Sequence, residues 1–335
     1  MIYLMKKNWL YLLIIIILLA VTAYFIFDRK WGTIRKELRD FAVEDTASVT
    51  KVFLADKENR HVTLVREGEH WSLNGKYVAR KDAIDNLLKT IFRFEIKAPV
   101  PKAAFNNVVK TLATQSTKVE IYQGENDPSK VFYVGGATKD QTGTYMMLEN
   151  SSTPFIMHIP GFTGYLSTRF FTDETEWRDR TICSYKFNDI ASVSMQTNIN
   201  TGKSFRIYNE KNSFRLVNLE TNKEQSKFDT VAVQEYIAGC RKLYYEYIAV
   251  LNSEKFDSIL GNEPVHIITI EDINKKKTVI KTFYKPGTGV LDDYGKPYRY
   301  DADRLFAQVN DSRQLVVIQY YSFNPVFKTI DDLMK

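Results

Sequence analysis

Residues Trp9 to Phe27, WLYLLIIIILLAVTAYFIF, run for nineteen positions without a charge, a glycine or a proline. At about 1.5 Å of rise per residue, a helix of that length just crosses about 30 Å of hydrocarbon. Trp9 and Tyr11 at its start and Tyr24 near its end are the ring types that favour the headgroup level. The run therefore predicts a membrane anchor at residues 9–27, with a lipid bilayer as the first partner, and the rest of the chain must fold outside the hydrocarbon. It is longer than the core of a cleaved signal peptide, and no small-x-small site comes after Phe27, so it reads as an uncleaved signal anchor behind a short tail at residues 1–8.

Orientation is less direct. Lys6 and Lys7 precede the run, whereas Arg29, Lys30, Arg35, Lys36 and Arg39 come after it. Counted by the positive-inside rule, these charges would put the large domain in the cytoplasm. Residues 28–47 mix charges with scattered apolar side chains (Ile34, Leu38, Phe41, Val43) and read as a stalk.

Beyond the stalk the chain is globular. With 335 residues, 44% of them hydrophobic and 26% charged, it is long enough for two domains, each with its own core. The net charge of +6 falls to +4 once Lys6 and Lys7 are set aside. The remaining basic residues are interleaved with Asp and Glu, so there is no basic footprint for nucleic acid.

From Ser48, VTKVFLAD, HVTLVREG and HWSLNG alternate or cluster apolar residues with turn signals between them, which predicts a three-stranded antiparallel meander. A helix from about Arg80 carries Ile84, Leu87, Leu88, Ile91 and Phe94 at helical spacing, and the Pro99 to Pro101 segment breaks it. A second helix from Lys102 places Phe105, Val108, Val109 and Leu112 on one face. Strands return at KVEIYQG, KVFYVGG, GTYMMLE and FIMHIPG.

The same order recurs after residue 185. ASVSMQT, SFRIYNE and SFRLVNL match the first meander, and a helix from Asp229 sets Val233, Tyr236, Ile237, Cys240 and Leu243 in the places of the first helix's stripe. Phe256, Ile259 and Leu260 repeat Phe105, Val108 and Val109, and VHIITI, KTVIKTFY and QLVVIQYY supply later strands. The expected fold class is α+β: an N-terminal transmembrane helix followed by two tandem repeated modules of antiparallel sheet, each with two covering helices. The first module is expected at 48–160, an inter-module segment at 161–185 and the second module at 186–335.

Several stretches also carry a family resemblance. FAVEDTASVTKVFLAD, HWSLNGKYVARKDAIDNLLKTI, KAPVPKAAFNNVVKTLA, FYVGGATKDQTGTYMMLE and above all HIPGFTGYLSTRFFTDETEWRDRTI resemble the bacterial domain-of-unknown-function 4340 family, most strongly between Phe41 and Ile182. The resemblance implies a single N-terminal anchor in the bacterial inner membrane, with the bulk of the chain on the periplasmic side, against the raw charge count. It also implies association with auxiliary parts of ABC-type transport or gliding machinery, and it transfers no catalytic residues.

The reactive side chains form no motif. His61, His70, His158 and His266 stand in different expected strands without ligand spacing, so no metal is expected. Cys240 sits on an apolar helix face and reads as a buried thiol, and Cys183 lies between the modules; an oxidising compartment would allow the two to pair, which the sequence leaves open. No nucleophile elbow or phosphate-cradling loop is present, and the Gly135–Gly136 pair reads as a turn or bulge. No cofactor and no catalytic residue is expected.

One segment carries the expected binding role. Gly161 to Ile182 packs Arg169, Trp177, Arg178 and Arg180 close to Tyr165, residue types that dominate binding hot spots. The segment reads more readily as a structural one, in which Thr172 caps a short helix, Asp173, Glu174 and Glu176 complement its N-terminus and the arginines complement its other end. The Tyr-rich runs LYYEY and GKPYRYD have the chemistry to stack a sugar or peptide, though strand and helix packing also accounts for them. The expectation is a membrane-anchored binding or scaffolding protein whose partners are other membrane or envelope proteins, its small-molecule ligand undefined. The alternative is an envelope hydrolase using acids such as Asp173 and Glu176.

Overall fold

The computed structural model describes residues 14–20, 22, 40–199, 202–210, 213–291 and 294–334. Residues 14–20 are helical, as is Thr22, but the rest of the apolar run, with Trp9, Tyr11 and Tyr24, lies outside the described residues. Among the described residues no helix is long and apolar enough to cross a membrane.

The chain divides into two compact units between Arg178 and Asp179. In the first, β1 (Lys51–Ala55), β2 (His61–Glu67), β3 (His70–Leu73) and the short β4 (Tyr77–Val78) form a meander. Then come α1 (Lys81–Arg93), β5 (Glu95–Pro99) and α2 (Lys102–Gln115), followed by β6 (Thr117–Tyr122), β7 (Lys130–Ala137), β8 (Thr144–Leu148) and β9 (Phe155–His158). The nine strands form one sheet in the order β4-β3-β2-β1-β6-β7-β8-β9-β5. Every pairing in it is antiparallel.

The second unit is built on its own, eight-stranded sheet. Its strands are β11 (Ile190–Thr197), β12 (Phe205–Glu210), β13 (Ser213–Asn218), β15 (Tyr247–Ile248), β16 (His266–Asp272), β17 (Lys277–Pro286), β18 (Tyr300–Val309) and β19 (Leu315–Gln319). They pair as β13-β12-β11-β16-β17-β18-β19-β15, while β10 (Thr181–Ser184) and β14 (Lys242–Tyr244) form a separate two-stranded ribbon. Helices α3 (Thr230–Cys240) and α4 (Ser253–Leu260) fall between β13 and β16, as α1 and α2 fall between β4 and β6. In both units a strand lying between the two helices, β5 or β15, crosses to the far edge of the sheet.

Period-two alternation lets each sheet carry a core on both faces. In the first unit Phe132, Val134, Met146, Phe155 and Met157 face α1, which buries Ile84, Leu87 and Ile91 among them. The residues between them, Tyr133, Tyr145, Met147 and Ile156, face Val108 and Leu112 of α2. In the second unit Leu305, Ala307, Val316 and Ile318 join Val233, Tyr236, Ile237 and Cys240 of α3. Phe306, Leu315 and Val317 meet Phe256, Ile259 and Leu260 of α4 on the other face. Register aligns the rows: Val52 pairs with Leu64 and Ile121 in one unit, Val193 with Ile207 and Ile270 in the other.

Local chemistry starts the second unit's helices. The Asp229 carboxylate accepts from the Val231 and Ala232 amides at 2.8 and 3.2 Å, and the Asn252 amide oxygen accepts from the Lys255 amide at 2.9 Å. Each satisfies donors that the first helical turn leaves open.

The structure corrects three expectations. The Pro99 to Pro101 segment does not terminate the first helix, which ends at Arg93; β5 intervenes, and Pro99 is tolerated because β5 is an edge strand that needs no donor on its outer side. The stalk does not extend to residue 47, since Phe41 and Val43 are buried in the first core. Phe41 meets the rings of Phe94, Phe132 and Phe155 at 6.1 to 6.4 Å, and the Val43 amide donates to the Ile91 carbonyl. The expected inter-module segment is divided at Arg178, because its larger part packs on the first unit.

Candidate functional site

In the first unit the chain after β9 folds back over the sheet. Leu166 and Phe170 enter the core, and the Leu166 amide donates to the buried Thr144 hydroxyl at 2.6 Å. Asp173 caps a single helical turn, Glu174–Trp177, by accepting from the Thr175 amide and hydroxyl. That role occupies one of the two acids expected in a hydrolase.

The expected contact residues separate once folded. Trp177 is fully buried in the first core, so it is a packing residue and not an exposed anchor. Arg169 donates from Nη1 to the buried Thr90 hydroxyl at 2.9 Å and lies over the Phe162 ring; burial lowers its pKa. Arg178 stacks on Tyr77 at 3.8 Å. Arg180 belongs to the second unit, where its carbonyl accepts from the Tyr245 amide. Tyr165 is half-buried. Within the first unit the contacts of Arg169, Trp177 and Arg178 fasten the returning chain to the core.

A polar groove of about 530 Å³ does form beside them, lined by the β1–β2 turn (Asp56, Lys57, Glu58, Arg60), the end of α2, and Ser167 with Phe170 to Asp173. Its central group is Asp56, which accepts from the Thr172 hydroxyl at 2.6 Å and from Arg60 Nε at 2.7 Å. Burial pushes the Asp56 carboxyl up, but these bonds and the Glu58 and Arg60 amides outweigh it and hold the group at about 2. Its acceptors are engaged by the protein itself, so the groove braces the turn against the returning chain.

The second unit offers a different surface. In the first unit β7 and β8 are joined by residues 138–143, whereas β17 and β18 run ten residues each and are joined by residues 287–299. The two arms stay paired beyond the strands: Gly287 donates to the Arg299 carbonyl and Tyr298 to the Val290 carbonyl. A side chain at Gly287 would overlap the Tyr298 carbonyl, so glycine is what lets them close. The tip exposes Val290 at 61%, Leu291 at 58% and Tyr294 at 89%, far more apolar surface than a solvated turn needs.

At its base Tyr284, Tyr298, Tyr300 and Tyr320 line a cleft of about 430 Å³ with Arg299, Asp301 and Ala302. Tyr284 and Tyr300 stack with ring centroids 4.3 Å apart. Burial pushes the Asp301 carboxyl up, yet the ion pair with Lys285 at 2.7 Å and the Asp303 amide bring it below the usual carboxylate range. Tyr320 is raised by burial and by the nearby Tyr284 and Asp301. The run GKPYRYD pointed to part of this cleft; Tyr284 and Tyr320 could not be read from it, because strand pairing brings them in from elsewhere.

The other reactive groups stay dispersed. His266 is largely buried against Phe327, which lowers it to about 4, and His70 pairs with Glu67 at the surface. Cys183 and Cys240 are free thiols in the second core, the Cys183 Sγ–H donating to the Cys240 carbonyl. Among the described residues no three His, Cys, Asp or Glu side chains are grouped to hold a metal.

Compared with known proteins, a family model described as Domain of unknown function (DUF4340) matches residues 71–263, more than half of the chain and parts of both units. No curated protein and no solved structure matches the chain.

Proposed function

The chain belongs to the domain-of-unknown-function 4340 family, and on that premise we propose that it is a membrane-anchored binding and scaffolding protein of the bacterial envelope, an auxiliary component of ABC-type transport or gliding-type machinery. In this reading residues 9–27 span the inner membrane and both units stand on the periplasmic side. The two units are copies of one module, a reading supported by the shared strand order and by the matching rows at Val52 and Val193. On that basis Phe105 is the counterpart of Phe256.

The observation that carries the binding role is the lengthened β17–β18 hairpin. It is one of the places where the second unit departs from the first, and it presents apolar and aromatic side chains to solvent instead of burying them. A module whose cores are filled by its own helices has no structural use for such a surface, whereas a recognition element does.

The test is cross-linking in intact membranes followed by identification of the proteins captured with the full-length chain. A transporter ATPase or permease is expected, and its capture should weaken when Tyr294 and Leu291 are both changed to Ser. Capture that ignores this change would sink the hairpin's role. The absence of any membrane-protein partner would sink the scaffolding reading.

A further inference from the structure

The tyrosine cleft at the base of the hairpin has a more specific chemistry than its apolar tip. Four tyrosines line a mainly apolar space together with Arg299, Asp301 and Ala302. Tyr284, Tyr298 and Tyr300 remain between 38% and 43% exposed, so ring surface is open to a ligand even though Tyr284 and Tyr300 stack on each other.

Of the polar groups at the cleft, Arg299 is the one whose donors face no carboxylate among the described residues. Asp301 accepts from Lys285 through Oδ2 and from the Asp303 and Arg304 amides through Oδ1, and its side chain is only 7% exposed, so it braces the base of the cleft and leaves the ligand to other groups. Arg304 is itself clamped by two bonds to Glu246 at 2.7 and 3.0 Å. Arg299 lies over the Tyr300 ring at 5.1 Å, and among the described residues no carboxylate pairs with it. Its donors are therefore available to a ligand.

A pyranose ring matches this arrangement. One of its faces carries axial C–H bonds that lie well on an aromatic ring, and its equatorial hydroxyls radiate from the edge, where they accept from a guanidinium. The cleft lies within the range of about 300 to 1,000 Å³ typical of small-ligand sites. A proline-rich peptide also uses tyrosines, but it docks in furrows between separated rings. Here Tyr284 and Tyr300 are closed on one another with 13° between their planes, which leaves a platform and no furrow between them.

We propose that the cleft formed by Tyr284, Tyr298, Tyr300 and Tyr320 is a carbohydrate-binding site that stacks a pyranose unit of a glycan and fixes its hydroxyls with Arg299. This rests on the reading of the chain as a binding protein and names the ligand class of its second unit.

The experiment is calorimetric titration of the full-length chain in detergent with cellotetraose, chitotetraose, tetragalacturonate and, as the rival ligand, a proline decamer. Saturable binding of at least one tetrasaccharide is expected, weakened tenfold or more by Tyr298→Ala and by Arg299→Ala. Tyr244→Ala, on the separate ribbon, should leave it unchanged. Tyr298 and Arg299 sit outside the cores, and unchanged thermal melts of both variants will show that loss of binding is not loss of fold. Binding of no tetrasaccharide, binding indifferent to both substitutions, or tighter binding of the proline decamer would each overturn the proposal. Partner capture in membranes is read separately, so a chain that still captures its transporter but takes no sugar leaves the scaffolding role standing and removes only this one.

Discussion

Trp177 lies face to face with Phe171, the ring centroids 4.3 Å apart, and its indole Nε1–H donates to the Phe171 carbonyl at 2.9 Å. One side chain thus fills the end of the first core and satisfies a backbone acceptor of the returning chain. Its own carbonyl accepts from the Arg80 amide at 2.6 Å, just where α1 begins. The joining segment is held to the first unit from both directions.

Trp177→Ala should therefore destabilise the first unit by about 3–5 kcal/mol, the usual cost of truncating a buried tryptophan. Trp177→Phe, which keeps most of the packing but leaves the Phe171 carbonyl unpaired, should cost about 1–3 kcal/mol. Urea titration followed by circular dichroism orders the three chains. Equal midpoints for wild type and Trp177→Ala would return Trp177 to the surface.

Asp56 gives the groove an acid limit. An unfolded Asp titrates near 4, whereas the folded carboxyl sits at about 2, so the folded form holds its charge longer. The stability this contributes is complete above pH of about 4 and is lost as pH falls towards 2. Thr172→Val removes the hydroxyl donor and should cost about 1 kcal/mol at neutral pH while shrinking that acid-sensitive step. Melting curves at pH 7, 4 and 2.5 test both effects.

His266 acts in a higher window. Burial lowers its pKa from the usual 6.5 to about 4, and among the described residues its Nδ1 has no hydrogen-bond partner. The unfolded chain takes up this proton first, so stability is full above pH of about 6.5 and declines as pH falls towards 4, by up to about 3 kcal/mol. His266→Phe, which keeps a ring beside Phe327, should flatten that decline. A decline of the same depth in the variant would assign it to other groups.

Burial raises both thiols, Cys183 to about 11 and Cys240 further. Native chain at pH 8 should react with Ellman's reagent many times more slowly than a free cysteine, because the thiolate is scarce and the sulfur covered. In denaturant both thiols should react at once, two per chain. Fewer than two under non-reducing conditions would reveal a disulfide.

Orientation is tested by fusing reporters after Lys335. Alkaline phosphatase should be active there and a cytoplasmic fluorescent protein dark. The reverse pattern would favour the charges from Arg29 to Arg39 over the family expectation and remove the envelope role.

The sequence by itself determined the α+β class, the order of most elements and the stripes of the helices, because these depend on neighbours a few residues apart. Ile84, Leu87 and Ile91 must share a helix face, and Asp229 must sit where amides need a cap. The membership of Phe41 in the core, the crossing of β5 and β15 to the far sheet edge, and the existence of β18 were decided by tertiary structure. Each depends on pairings between residues far apart in the chain, such as Glu95 with His158 or Tyr247 with Val317, whose gain comes from burying a whole sheet face and leaves no local period. The same physics separates the two site readings. Arg169, Trp177 and Arg178 have the residue types of a contact surface, but burial and local stacking claimed them for the first unit. Tyr284, Tyr300 and Tyr320 looked like ordinary strand aromatics until the β17–β18 pairing set their rings around one cleft.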